Sequence, residues 1–293
     1  MNKLLFLLLP AALMTQACSN DFDVAAPWKE IPAVFAILSP KDTAHYIRVE
    51  KAFLDPKTSA LEIAQIADSL YYPENAIDVY LERTGTGQLI QLQRVDGNLE
   101  GYMREDGIFA TQPNWLYKTN QILQEGETYR FRMIRADGNP DVTAETTLPA
   151  TFEFQSPNPQ QIPPKIGFIR SAPTSIAWRT DVNGVYFKID FQIRYREETP
   201  GGALIRRDTL HWTPVPNVER GDNIVSAGKY KGEAKISADA FFNFLVNNIP
   251  AANDRFRYFD GIDITIQGGG REIKAYQETA SANSGLTGAE VIP

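Results

Sequence analysis

From Ala33 onward, apolar and polar residues alternate in runs of four to eleven residues separated by turn clusters, and long helical periodicity is nearly absent. Alternation sends successive side chains to opposite faces of a strand, so the pattern predicts an all-β chain. The clearest strand runs from Val185 to Tyr195: Val185, Phe187, Ile189, Phe191, Ile193 and Tyr195 share one face, and Lys188, Asp190, Gln192 and Arg194 the other. One face packs while the other meets water. Ile262, Ile264 and Ile266 repeat the motif against Asp263, Thr265 and Gln267. Shorter strands are predicted at Ser175 to Arg179, Ile205 to Trp212, Ala76 to Leu81 and Leu89 to Gln93, the last two joined by a hairpin turn at Thr84-Gly85-Thr86-Gly87. Gly268, Gly269 and Gly270 read as a hairpin tip between the Ile262 strand and another at Glu272 to Tyr276, and Asn183-Gly184 as a second tight hairpin turn. One helix stands out, with Ser237 as N-cap and Phe241, Phe242, Leu245 and Val246 as its apolar stripe before Pro250. Ala60 to Leu70 reads either as a second helix or as an ordered loop.

The punctuation of these runs predicts two domains. Pro157, Pro159, Pro163 and Pro164 crowd residues 155–165, where locked φ angles and missing amide donors favour an extended spacer over a central strand. The expected organisation is a β-sandwich over 31–154 and a β-rich domain over 166–293, a second sandwich with one short helix. In the first, Leu123, Gly126, Tyr129, Phe131 and Met133 form Leu-x-x-Gly-x-x-Tyr-x-Phe-x-Met. That spacing resembles the tyrosine corner of fibronectin type III and immunoglobulin-like sandwiches. A tyrosine opening a strand after a sheet-crossing turn buries its ring and returns its hydroxyl to the backbone.

Ahead of the strands lies an address. Lys3 precedes an apolar run from Leu4 to Met14, and Cys18, the only cysteine of 293 residues, follows Ala17. The run is too short to span a ~30 Å hydrocarbon core, so residues 1–17 read as a signal peptide. The stretch resembles a bacterial lipobox, which implies a diacylglycerol thioether on Cys18 and a further acyl chain on its new amine. Several chains anchor stably where one is marginal. Residues 18–30 are then a tether. Ser19, Asn20, Asp21, Phe22 and Asp23 resemble the acidic export signal that follows the lipidated cysteine in Bacteroidota lipoproteins, and imply display on the outer leaflet; a solvated linker is the plainer reading of the same residues.

The order of features, together with "PAVFAILSPKDTAHYIRVEKAF", "NAIDVYLER", "EGETYRFRMI" and "VTAETTLPA", resembles a family of outer-membrane lipoproteins of Bacteroidota that carries a domain-of-unknown-function label. The likeness covers most of the first domain and, more loosely, the second with its closing "NSGLTGAEVIP". It implies an accessory role beside an outer-membrane receptor, and a further strand-like stretch beyond Pro293.

Composition narrows the chemistry. A net charge of -7 argues against nucleic acid, which is bound by basic stripes. One cysteine permits no internal disulfide and no multi-cysteine metal site. His45 and His211 lie in predicted strands, remote from any nucleophile elbow or zinc-binding His pair, and read as strand-surface residues. Asp181, Asn183 and Gly184 open like a calcium loop, but Gln192 stands where the bidentate Glu belongs. No catalytic residue, metal ligand or cofactor is expected. Of the four tryptophans, Trp178 and Trp212 belong to predicted strands and to a core; Trp115, in Gln112-Pro113-Asn114-Trp115, is the one expected at the surface and is the candidate ligand contact. The expectation is a non-enzymatic lipoprotein that binds or assembles with an outer-membrane β-barrel or receptor, with a glycan-binding module for nutrient uptake as the alternative. A hydrolase using two carboxylates comes last.

Overall fold

The computed structural model describes residues 30–52 and 59–287, with side chains up to 279. The described chain is all-β, in four antiparallel sheets. Its backbone contacts gather into two compact units, the first holding 30–35, 48–52, 59–73 and 95–116, the second 36–47, 74–94 and 117–287.

Strands β1 (Ile31–Ala36), β2 (His45–Ala52), β5 (Gln93–Asp96) and β6 (Trp115–Thr119) are antiparallel neighbours in the order β1-β2-β6-β5. In the first unit they are accompanied by two short helices, α1 (Ala60–Ala64) and α2 (Ala67–Leu70). The single helix that the apolar spacing of 60–70 offers is broken because Ile66 is extended, while the Gln65 amide donates to the carbonyls of Gly107 and Ile108. Leu70, Tyr71 and Ala110 bury together, with Phe109 and Trp115 packed against them.

In the second unit, β3 (Ile77–Arg83), β4 (Gln88–Gln91), β7 (Thr128–Arg135) and β8 (Val142–Thr147) form the sheet β4-β3-β7-β8. The turn at 84–87 closes with the amides of Thr86 and Gly87 on the Arg83 carbonyl. His45 departs from expectation: it is 1% exposed, and burial holds its pKa below 6.5 against the charge of Asp42 and the Gln121 backbone. His211 is exposed.

The remaining strands build a sandwich. One sheet is β13-β14-β10-β9, from β9 (Glu153–Ser156), β10 (Thr174–Thr180), β13 (Ile224–Ser226) and β14 (Lys229–Ile236); the other is β12-β11-β15, from β11 (Tyr186–Glu198), β12 (Leu204–Glu219) and β15 (Phe256–Gly269). Ile176 and Trp178 of β10, Ala234 and Ile236 of β14, the alternating Phe187, Ile189, Phe191 and Ile193 of β11, and Ile266 of β15 pack into one core. Helix α3 (Ala238–Asn248) is capped by Ser237, whose hydroxyl accepts the Ala240 amide at 3.1 Å. It stacks Phe241 on Phe168 and Phe244 on Trp212, so Trp178 and Trp212 are core residues as their strand positions predict.

Asn183-Gly184 is no hairpin turn, since β10 and β11 belong to different sheets. It is a corner, in which the Asp181 carboxylate accepts the amides of Asn183, Gly184 and Ala150. The stretch expected as a Glu272 to Tyr276 strand is the first part of a second helix, α4 (Arg271–Thr287), which opens directly on Gly268–Gly270. Five residues of alternation mimicked a strand, but Glu, Lys, Ala and Gln through this stretch are strong helix formers. Finally, Gln155 and Ser156 of the proline-rich segment belong to β9, an edge strand, where the missing donors that follow cost nothing.

Candidate functional site

The segment 97–110 of the first unit combines two properties that rarely coincide. It is irregular in backbone, beginning with a 3₁₀ turn at Gly97–Leu99, yet several of its bends are held by specific hydrogen bonds. Asp96 Oδ1 accepts the amides of Asn98 at 3.0 Å and Asn114 at 3.1 Å. The Asn98 side chain donates to the Thr111 carbonyl at 2.9 Å and accepts the Arg104 amide at 3.1 Å. Asn114, 1% exposed, donates from Nδ2 to the Tyr102 carbonyl at 2.8 Å and accepts from Arg48 at 3.3 Å. The Tyr102 amide returns to the Gly97 carbonyl at 2.8 Å. Gly97 fits because a Cβ there would lie 2.7 Å from both Asn114 Nδ2 and Leu116 Cδ1.

Beside the apolar cluster of Leu70, Tyr71 and Ala110 lies a largely buried ion pair. The Arg104 side chain is 9% exposed and donates to Glu50 Oε1 at 2.7 Å and to the Tyr71 hydroxyl at 2.8 Å, with its guanidinium 5.0 Å from the Phe109 ring centroid. Burial raises the Tyr71 pKa above its usual 10, opposed by the Arg104 charge, so the phenol stays neutral. Charge-assisted bonds of this kind fix position as well as supply energy.

What the network holds up is apolar. Leu99 is 87% exposed and Met103 79%, and Tyr102 and Ile108 are exposed beside them. Leu61 and Ile66 of the α1–α2 segment are exposed too, next to Gln65, whose amide is bonded to Ile108. Large apolar side chains held in water by an ordered polar scaffold make a surface that gains by association. Burying Leu99 and Met103 fully is worth ~1.5–3 kcal/mol each, and little of this is spent on ordering the loop, because its backbone is already fixed.

The residues singled out from sequence fall elsewhere. Cys18 and Ser19 to Asp23 lie outside the described residues. Trp115 is half-buried rather than exposed, packed against Leu70, Tyr71 and Ala110 where it opens β6. Leu123 and Tyr129 are 1% and 2% exposed, Gly126 takes a φ of 73°, and the Tyr129 hydroxyl accepts the Gln124 amide at 2.8 Å, a corner in the second unit. The loop 97–110 itself was missed, because its apolar residues have neither period two nor period 3.6. The signal available in the sequence was Leu99, Tyr102, Met103 and Ile108 scattered among glycines and acids, where turn segments are otherwise polar.

A second polar cluster is structural. Glu197, 1% exposed, continues the buried face of β11 and binds Arg257 at 2.8 Å, Arg206 at 3.0 Å and Arg255 at 3.1 Å. The Arg257 hydrogen bond, aided by those of Arg255 and Arg206 against the cost of burial, lowers its pKa to about 2. A general acid needs the opposite shift. The carboxylate instead ties β11 to β12 and to the residues opening β15. Above it, Arg194, Arg207, Thr209 and Asp260 border a shallow concavity with Tyr195 and Asp208. Among the described residues no group of three or more His, Cys, Asp or Glu is placed to hold a metal ion.

No family model matches the chain, and no curated protein matches it. Among solved structures, it is similar to a DUF4785 family protein from Legionella pneumophila subsp. pneumophila str. Philadelphia 1, with 10% identity over 81% of this chain and 52% of that one, and a TM-score of 0.24. The chain thus spans about half the length of that protein, and at this TM-score the likeness carries neither fold nor function across.

Proposed function

We propose that this chain is a non-enzymatic outer-membrane lipoprotein, anchored through acylated Cys18 and displayed toward the cell exterior, that docks on an outer-membrane β-barrel or receptor through the loop 97–110. The observation that carries the docking is the pair Leu99 and Met103, exposed at 87% and 79% on a loop whose backbone is already bonded in place. The anchor rests on Lys3, the apolar run 4–14 and the lone Cys18 after Ala17. Tethering raises the local concentration of such a loop beside a membrane partner, so a modest contact suffices for a lasting complex. Carboxylates that are held ionised, Glu197 by three arginines and Glu125 by Thr151 and Lys41, suit a scaffold better than acid catalysis.

The test is isolation of the native complex from detergent-solubilised membranes of cells labelled with palmitate. The expected result is label on the wild-type chain, none on Cys18→Ser, and a stoichiometric membrane protein co-purifying with wild type but lost with Met103→Asp. A soluble, unlabelled mature chain contradicts the anchor, and co-purification indifferent to Met103→Asp contradicts the docking surface.

A further inference from the structure

The exposed apolar loop sits in a strongly acidic unit. Its described residues contain three basic side chains, Arg48, Lys51 and Arg104, against eight acidic ones. Arg104, the one cation within 97–110, is neutralised by Glu50 and sunk beneath the surface. Glu105 and Asp106, by contrast, are exposed immediately beside Met103. The loop therefore presents apolar tips with anionic flanks, and its only positive charge is turned inward.

Resting on the docking role proposed above, we infer that the partner is a protein with an apolar socket bordered by lysine or arginine side chains, which accepts Leu99 and Met103 and pairs Glu105 and Asp106 at its rim. Apolar tips supply the contact energy, while rim charges of opposite sign set orientation and speed of encounter and suppress wrong partners. The same charge disfavours the other apolar phase within reach of an anchored chain. An anionic lipid surface attracts basic segments and repels acidic ones, so insertion of Leu99 and Met103 into such a leaflet would bring Glu105 and Asp106 against like charge.

The experiment uses the full-length anchored chain with a photo-cross-linking residue at position 103 in native membranes. The cross-linked protein is then purified, and its association rate and Kd for the wild-type chain, Met103→Asp, and Glu105→Lys combined with Asp106→Lys are measured at low and high salt. Vesicles of phosphatidylcholine with phosphatidylglycerol serve as the lipid arm. All three positions are exposed, so the melting temperature of each variant should match wild type. The inference expects one protein cross-linked, binding weakened about tenfold or more by Met103→Asp, and an association rate that falls about tenfold both with salt and with charge reversal. If Met103→Asp abolishes binding while charge reversal and salt leave it unchanged, the docking loop stands and the cationic rim is wrong. Lack of any protein cross-link, or binding to the vesicles that Met103→Asp removes, overturns the inference together with the docking reading.

Discussion

At the scale of single residues, buried polar groups decide more than their number suggests. Tyr129 is 2% exposed, and its hydroxyl is the acceptor for the Gln124 amide at 2.8 Å. Tyr129→Phe keeps the ring and its packing but leaves that amide without its acceptor. Gln124 is exposed, so water can reach that amide, and the expected loss is ~0.5–1.5 kcal/mol of unfolding free energy, the net worth of one hydrogen bond, read from urea denaturation with an unchanged slope. An unaltered midpoint would mean that the corner is held by ring burial alone. The Asn98 and Asn114 side chains work by the same logic around the loop 97–110, each satisfying backbone groups that the irregular chain cannot pair for itself.

At the scale of elements, strands, sheets and ion pairs can be weighed together. Glu197 joins three arginines drawn from β12 and from residues 255–257. Its folded pKa is depressed to about 2 from an ordinary 4.5. The stabilising effect is therefore complete above pH 4.5 and disappears as pH falls through about 2, because the unfolded chain takes up the proton first. Glu197→Gln should flatten the acid limb of stability between these values and destabilise more at neutral pH than Ala at any one of Arg206, Arg255 or Arg257, since it strands three cations at once. An acid limb identical to wild type, measured by denaturation at a series of pH values, would contradict the assignment. Legibility also belongs to this scale. β11 and the core of β15 could be read directly because each buries one face, which writes period two into the sequence. β12 could be read only from Ile205 to Trp212, although it continues to Glu219, because Pro214 and Pro216 look like breakers and are tolerated on an edge strand. The start of α4 was mistaken for a strand because five residues are too few to separate the two periods. The loop 97–110 left almost no trace, since its order comes from Asp96, Asn98, Arg104 and Asn114 meeting through side-chain hydrogen bonds, and no hydrophobic period encodes such meetings.

At the scale of the whole molecule, the proposed function combines an anchor at one end of the chain with an exposed apolar loop. Among the described residues no helix is long and apolar enough to cross a membrane; the anchor proposed on Cys18 rests on the sequence around it, and β1 belongs largely to the unit that carries the loop. Two sandwich-forming sheets pack around the Trp178 and Phe187 core, and in the proposal the acidic, apolar-tipped loop supplies the contact. The measurement that reaches this claim most directly is amide hydrogen exchange over residues 97–110, compared between the purified chain and the chain in its native membranes. The account predicts that the amides of Asn98, Tyr102 and Arg104 are already protected in the purified protein and slow further in the membrane, with the additional protection centred on this stretch. Exchange at the rate of an unstructured peptide when purified, or the same rate in both settings, would contradict it.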